Sequence, residues 1–305
     1  MGILASISIG INPNLIDFWN LTLSWHGVMT FVGVAVAVWL VARWGGREGM
    51  VVDSIYSVAV WAIIGGVIGA RVLHVIDFWD SGIGVLNEGY KDHLLTIFQV
   101  WGGGIAIYGA IIGGFIGGSV YIMIRNSEWF LSLWKTVFPF MGEPHRANLP
   151  GIGRLADVTA PAVLIGMAIG RIGDLINGEH LAEVSDLPWA VVYTHANTIG
   201  IQGGIPLPPM HPAVGYELIF DLILLAAIWP LRNRLRPNGM FFALYLGAYS
   251  IGRFFISFLR LERQEYFGAL NEAQVVAIIV VILTVPLLVW KAQLVRPQSN
   301  QNSPN

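Results

Sequence analysis

Seven apolar stretches of bilayer length constrain the fold of this chain more than any other feature. A helix needs about 20 apolar residues to cross the hydrocarbon core of a membrane. Hydrophobic residues make up 55% of the 305 residues and charged residues only 12%, which is not the composition of a soluble domain. The sequence predicts an all-α polytopic membrane protein with seven transmembrane helices, at about 25–42, 54–77, 105–124, 155–176, 214–231, 240–259 and 274–290.

Lys and Arg in the connecting segments predict the orientation of these spans. One set of segments carries eleven of them, whereas the other carries only Lys91, Arg260 and Arg263. The basic side faces the cytoplasm, so the N-terminus is predicted outside and the C-terminus inside. Residues 178–210 contain no Lys or Arg, which predicts a small extracytoplasmic head at about 178–212. The polar tail 298–305 is predicted to be disordered.

Composition also excludes several kinds of chemistry. The formal net charge is -2, so no basic face argues for a nucleic-acid partner. The chain has no cysteine, which removes disulfides, thiolate metal sites and a cysteine nucleophile. Any thiol chemistry must use the sulfur of a substrate.

Small residues and aromatic residues predict how parts of the chain pack. Glycines four apart, which allow helices to approach closely in lipid, occur at Gly65 and Gly69, at Gly109 and Gly113, and at Gly166 and Gly170. The loop 125–154 contains a group of tryptophan, phenylalanine and leucine residues. It is typical of an amphipathic segment that lies on the membrane surface.

A polar cluster at the end of the fourth span is the first candidate site. Arg171, Asp174, Asn177 and Glu179 follow one another closely there, and charged groups inside a membrane mark functional sites. The planar guanidinium of Arg171 suits phosphate oxygens. Alternatively, Arg171 and Asp174 lie three apart on a helix and could neutralise each other.

Further polar residues lie in or next to other spans, and each has two interpretations. His211 precedes the fifth span, where it either lines a cavity or forms a local hydrogen bond at the start of the helix. Arg260 is either a second phosphate ligand or part of an ion pair. Arg71 either packs helices together by pairing with an aspartate or contacts a ligand. His26 and Tyr108 are single polar groups among apolar neighbours, in the core or in a site.

Two other classes of protein compete with an enzyme. A transporter or channel would line a path with its intramembrane charges, and an assembly protein would bury them as a network without turnover. The three arginines inside predicted spans, Arg71, Arg171 and Arg253, do not form a row across the membrane. The two halves of the sequence also do not share a pair of short, broken spans. Both features count against a transporter.

The polar cluster belongs to a longer pattern. Residues 170–179 read Gly-Arg-Ile-Gly-Asp-Leu-Ile-Asn-Gly-Glu, which resembles the G-R-x-G-N-x-x-N-x-E signature of bacterial prolipoprotein diacylglyceryl transferases. The resemblance extends over about 20–290 through Trp25-His26-Gly27, Gly69-Ala-Arg71 with His74, Phe98 to Gly104, His211-Pro212 with Tyr216-Glu217, and Arg253-Phe254 with Arg260.

Three positions depart from the family's pattern. Asp174 stands where many members have Asn, and His26 replaces a Tyr that is common in the family. Tyr108 replaces a His that some members carry. The first departure adds a negative charge next to Arg171.

The resemblance implies a reaction at the bacterial cytoplasmic (inner) membrane, the first step of lipoprotein maturation. The diacylglyceryl group of phosphatidylglycerol moves to the lipobox cysteine thiol of a prolipoprotein, which forms a thioether and releases glycerol phosphate. No metal or other cofactor is expected. The implied site comprises Arg171 and Arg260 for the phosphate; Glu179, His211 and Tyr108 for thiol activation; Asn177 and Asp174 for the glycerol head; and Arg71 and His26 as further lipid contacts.

Overall fold

The computed structural model describes residues 6–18, 21–80, 89–99, 104, 106–143, 145–198, 200–202, 204–261, 265–266 and 270–295. Within these residues, seven helices are long and apolar enough to cross a membrane. The predicted membrane fold with seven helical spans is thereby confirmed. The predicted disordered tail 298–305, Arg263 and residues 100–103 of the family pattern lie outside the described residues.

The helices follow the apolar stretches of the sequence closely. The α-helices of the described residues are α1 (Trp25–Arg47), α2 (Val52–Asp77), α3 (Ile107–Arg125), α4 (Glu128–Val137), α5 (Ile152–Asn177), α6 (Ala213–Ile228), α7 (Met240–Ile256) and α8 (Glu272–Lys291). α1 begins at Trp25, as predicted, but continues beyond the predicted end to Arg47. The short helix α4 lies in the aromatic loop, where the Ser127 hydroxyl caps its first turn.

Short strands outside the helices form two-stranded sheets. The strands are β1 (Ile7–Ile9), β2 (Asn14–Phe18), β3 (Leu21–Ser24), β4 (Val191–Tyr193), β5 (Ile201–Gln202), β6 (Ile205–Pro206), β7 (Leu235–Arg236), β8 (Glu265–Tyr266), β9 (Leu270–Asn271) and β10 (Gln293–Leu294). β1 pairs with β4 in parallel, and β2–β3, β5–β6, β7–β10 and β8–β9 pair antiparallel. The predicted head region thus contains β4, β5 and β6. The strand that β1 adds to it was not predicted.

The chain divides into two compact units, one formed by Met1–Val41 with Gly153–Asn305 and the other by Ala42–Ile152. In the second unit, α2 and α3 pack through glycines: a Cβ atom added to Gly69 would lie 2.8 Å from the Cα atom of Gly113. This confirms the close contact that the glycine spacing predicts.

In the first unit, a core between α5, α6 and α7 fixes these three helices against one another. Its buried members are Ala160, Leu164, Leu224, Ile228, Phe241, Tyr245 and Tyr249. Asp157 of α5 also accepts hydrogen bonds from the backbone N–H groups of Gly239 and Phe242, at 2.8 and 2.9 Å. These N–H groups belong to the first turn of α7 and have no partner within that helix. The carboxylate therefore anchors the start of α7 to α5.

Candidate functional site

Three arginines from two helices and a following segment converge on one carboxylate in the first unit. Glu217 of α6 is the centre, and its Oε2 atom lies 2.5 Å from Nη2 of Arg171. Its Oε1 atom accepts from Nη1 of Arg260 at 2.9 Å and also from Arg253. We call these four residues the arginine cluster. The arginine side chains are only 6–11% exposed and the Glu217 side chain 4%.

The arginine cluster carries more positive charge than Glu217 can neutralise. A buried charge is stable only when it is paired and hydrogen-bonded. Arg171 uses the other end of its guanidinium for Asp174, whose Oδ2 atom accepts from Nη1 at 2.8 Å. The ion pair between Arg171 and Asp174, which the sequence left open, is therefore present. Arg171 contacts Glu217 as well, so the pair with Asp174 adds a second carboxylate to the arginine cluster. Three guanidinium groups thus contact the two carboxylates of Glu217 and Asp174.

Asp174 links the arginine cluster to a more accessible group of residues. Its second oxygen, Oδ1, is hydrogen-bonded to Nδ1 of His26. Glu179 Oε2 lies 3.5 Å from the same nitrogen, and Glu179 Oε1 accepts from the Asn177 amide at 3.0 Å. The side chains of His26 and Glu179 are 34% and 33% exposed. We call His26, Asp174, Asn177 and Glu179 the rim; His26 and Glu179 are its accessible members, whereas Asp174 and Asn177 are buried.

Gly173 within α5 and Gly178 just after its last residue determine where the rim residues lie. A Cβ atom added to Gly173 would lie 2.7 Å from the carbonyl oxygen of Trp25 and 2.9 Å from the Cα atom of His26. The absent side chain therefore allows the start of α1 to approach Asp174. Gly178 follows the last helical residue with φ +72, the left-handed conformation that commonly ends helices. It turns the chain so that Glu179 points back towards Asn177.

His180 was not predicted as a site residue. It adopts φ 62, which is uncommon for a residue other than glycine. Burial by the surrounding protein, followed by the positive charges of Arg260 and Arg171, lowers the pKa of His180 to about 3. Its side chain is nevertheless exposed at the protein surface. The two guanidinium groups disfavour the imidazolium even where water reaches the ring, so a neutral His180 is expected at pH 7.

The rim also meets the spacing requirement of a metal site. His26, Asp174 and Glu179 each offer a ligand atom, and these atoms lie within 4.8 Å of one another. Both oxygens of Asp174 already accept hydrogen bonds, from His26 and Arg171. A cation bound to Asp174 would lie next to the positively charged guanidinium of Arg171 and be repelled by it, so we assign the rim to hydrogen bonding.

An apolar cavity of about 510 Å³ lies in the same unit. Leu175, the residue after Asp174, contributes to its wall. The remaining lining residues are Ile7, Ile9, Trp189, Val191, Pro212, Gly215, Tyr216 and Ile219. A space with such walls suits hydrocarbon.

The remaining predicted site residues are engaged in other contacts. His211 Nδ1 lies 3.2 Å from the Tyr216 hydroxyl, which also accepts from Trp189 Nε1 at 2.8 Å. In the second unit, Arg71 donates to the carbonyl groups of Thr96, Ile97 (2.8 Å) and Gly104 (3.0 Å), and Tyr108 is buried in α3. The structure therefore groups Arg171, Arg260, Asp174, Asn177, Glu179 and His26.

Glu217 and Arg253 were not among the predicted site residues. Both lie inside spans, where an acidic side chain requires a cationic partner. Arg253 lies in α7, whereas Arg260 follows the short turn Ser257–Leu259 in an extended conformation, and both side chains reach Glu217. Pairing an acidic residue of α6, Glu217 or Asp221, with these arginines would have indicated where the centre of the site lies.

The fold and the site define an integral membrane protein with a buried, electropositive site among transmembrane helices. The family model described as prolipoprotein diacylglyceryl transferase matches residues 13–142 and 145–290. The chain therefore belongs to the prolipoprotein diacylglyceryl transferase family, and it is a transferase.

Individual relatives agree with the family match. A phosphatidylglycerol–prolipoprotein diacylglyceryl transferase from Dehalococcoides mccartyi is 32% identical over 284 residues, which cover 93% of this chain and 95% of the relative. A protein with the same name from Geobacillus kaustophilus is 31% identical, over 88% of this chain and 87% of the relative. Another from Thermosynechococcus vestitus is 29% identical, over 86% of each chain.

Proposed function

We propose that this chain transfers the diacylglyceryl group of phosphatidylglycerol to the lipobox cysteine thiol of prolipoproteins, and that the arginine cluster binds the lipid phosphate. The observation that carries this proposal is the convergence of Arg171, Arg253 and Arg260 on the single carboxylate of Glu217. The family of the chain and the names of its relatives supply the reaction.

The charge of the arginine cluster suits that of the lipid. A phosphodiester carries one negative charge, and guanidinium groups bind phosphate oxygens through charge-assisted hydrogen bonds. When the bond between glycerol carbon and phosphate oxygen breaks, the departing glycerol phosphate gains a second negative charge. Guanidinium groups fixed beforehand in a site of low dielectric constant stabilise this developing charge.

The second substrate supplies the sulfur, because the chain has no cysteine. A free thiol has a pKa of about 8.5, so a base is needed to form the thiolate at neutral pH. Glu179, His211 and Tyr108 remain candidates for activating the thiol, and Asn177 with Asp174 for positioning the glycerol head. Arg71 and His26 are proposed as further lipid contacts. The apolar cavity beside Leu175 is suited to an acyl chain.

The proposed location is the bacterial cytoplasmic membrane, with the N-terminus outside and the head region 178–212 on the extracytoplasmic side. The distribution of Lys and Arg supports this orientation. The site lies at the head-side end of α5, where a lipid of the outer leaflet could supply its headgroup.

A peptide assay tests the proposal. The purified protein is incubated in detergent with phosphatidylglycerol and a lipobox peptide, and the mass of a diacylglyceryl group is sought on the cysteine. Wild type should form the adduct, and Arg171→Ala should abolish turnover while the protein remains folded. Arg146→Ala, which removes an exposed arginine from the loop before α5, is the matched control. No adduct with wild type, or substantial activity of Arg171→Ala, would reject the proposal.

A further inference from the structure

We infer that His26, held by Asp174, is the general base that takes the proton of the precursor thiol. This inference rests on the proposed function and names a catalytic residue for it. His26 accepts the proton from the substrate, whereas Asp174 is a positioning residue that fixes the imidazole.

The hydrogen bonds of Asp174 determine which nitrogen of His26 is available. An ionised carboxylate can only accept hydrogen bonds. Asp174 accepts from Arg171 through Oδ2 and contacts His26 Nδ1 through Oδ1, so the proton of this second contact belongs to Nδ1. A neutral imidazole with its proton on Nδ1 carries its lone pair on Nε2. The tautomer that can accept a proton at Nε2 is therefore the one that Asp174 selects.

The second ring nitrogen of His26, Nε2, is the one that remains for a substrate. Among the described residues, no hydrogen bond engages Nε2 of His26, and 34% of the side chain is exposed. When Nε2 takes up a proton, the new positive charge lies beside both Asp174 and Glu179, whose Oε2 atom is 3.5 Å from Nδ1. Glu179 itself is held by Asn177. In this arrangement, Glu179 therefore stabilises the protonated form of the base.

Asp174 also connects the base to the proposed phosphate site. The chain of contacts runs from His26 through Asp174 and Arg171 to Glu217. A lipid whose phosphate lies at the arginine cluster would present its glycerol carbon near the rim. The nucleophile and the leaving group are thus served by adjacent parts of one network.

The identity of the two residues in contact suits this role. His26 supplies an imidazole, and Asp174 supplies a carboxylate that can hold it. The structure places these two residues in direct contact. An imidazole held by a carboxylate can take up a proton at one nitrogen while the other nitrogen keeps its hydrogen bond.

The chemical step balances as follows. The S–H bond of the precursor cysteine breaks, and its proton moves to Nε2 of His26. The thiolate attacks the glycerol carbon attached to phosphate and forms a C–S bond, while the C–O bond breaks and its electron pair stays with the phosphate oxygen. The proton then leaves His26 for the departing glycerol phosphate, which regenerates the neutral imidazole.

The test measures kcat for peptide modification and its dependence on pH and imidazole. General-base catalysis typically contributes about 10²–10⁴-fold, so His26→Ala should lose kcat by about that factor, and added imidazole should restore part of it. Wild type should lose kcat as the pH falls and His26 becomes protonated, and this loss should disappear in the variant. His145→Ala, in the exposed loop before α5, should match wild type and not respond to imidazole. If His26→Ala does not fold, His26→Asn replaces it, because its amide can donate to Asp174 but cannot take a proton.

A double substitution tests the coupling. Asp174→Asn can donate to Nδ1 and thereby move the imidazole proton to Nε2, so kcat should fall. Because the effect of Asp174→Asn acts through the imidazole, His26→Ala/Asp174→Asn should be no less active than His26→Ala alone. An additive loss would overturn the coupling.

Three other outcomes would overturn the role of His26 as base. They are a His26→Ala activity within tenfold of wild type, a loss that imidazole does not relieve, and an activity that chelation removes and a divalent cation restores. In each case wild type still forms the adduct, so the proposed function survives. A wild type that forms no adduct rejects the proposed function itself.

Discussion

Replacing Glu217 with Gln removes the centre of the arginine cluster while keeping the size of the side chain. The glutamine side chain would retain one acceptor oxygen but no charge. Arg171 would keep Asp174 as a partner, whereas Arg253 and Arg260 would lose the carboxylate that they share. We expect the folded state to be destabilised and the affinity for an anion at this site to rise.

The burial of these groups sets the size of the effect. Glu217 is 4% exposed and its three arginines 6–11%, and removing one partner of a buried ion pair costs about 3–5 kcal/mol. At about 2 °C per kcal/mol for a chain of a few hundred residues, Tm should fall by about 6–10 °C. A bound phosphodiester supplies the missing charge and should return part of this loss.

The assay is thermal unfolding in a neutral detergent, with and without phosphatidylglycerol. Phosphatidylglycerol should raise Tm more in Glu217→Gln than in wild type, while diacylglycerol, which lacks the phosphate, should raise both equally. Glu128→Gln is the control, because Glu128 forms an exposed pair with Arg146. Such pairs contribute about 0–1 kcal/mol, so its Tm should change little.

Two results would refute this reasoning. If Glu217→Gln unfolds at the wild-type temperature, the carboxylate does not hold the arginines together. If phosphatidylglycerol raises Tm no more in the variant than in wild type, the phosphate does not bind at the arginine cluster.

Three further predictions concern residues around the site and in the second unit. Gly178→Ala should cost about 1–2 kcal/mol, because L-residues disfavour the left-handed conformation and the new Cβ atom would lie 2.9 Å from the Tyr193 ring; an unchanged Tm would show that this turn can relax. Arg71→Lys should lower Tm, since a single ammonium cannot replace the fork that reaches three carbonyl groups; a wild-type Tm with a raised KM for phosphatidylglycerol would instead favour the lipid contact. His180, with a pKa of about 3 in the folded state against about 6.5 in model peptides, contributes stability that is complete above pH 6.5 and is lost as the pH falls towards 3; His180→Gln should therefore reduce the acid sensitivity of unfolding, and an unchanged profile would contradict the neutral assignment.

Much of this fold could be predicted because a bilayer simplifies the problem. Backbone groups in lipid must bond within a helix, so length and hydropathy suffice to locate the spans. The parallel pairing of β1 with β4 joins residues about 180 positions apart, and no local pattern in the sequence indicates such a partner.

The sequence predicted which residues belong to the site better than it predicted which of them contact one another. The spacing of Arg171, Asp174, Asn177 and Glu179 on one helix end placed them together in advance. The pairing of Asp174 with His26 depends on the approach of α1 to Gly173, and the role of Glu217 depends on how α6 packs against α5 and α7. Tertiary packing determines both, so the sequence alone left Arg171 with two alternative partners.

The affinity for phosphatidylglycerol relative to diacylglycerol tests the phosphate assignment most directly. Both lipids carry the same acyl chains, so the ratio of their dissociation constants isolates the headgroup. We predict that wild type and the control Arg146→Gln bind phosphatidylglycerol at least about tenfold more tightly, as about 1.4 kcal/mol from a charged contact requires, and that the ratio approaches one in Arg260→Gln. A ratio that Arg260→Gln leaves at the wild-type value would contradict the account.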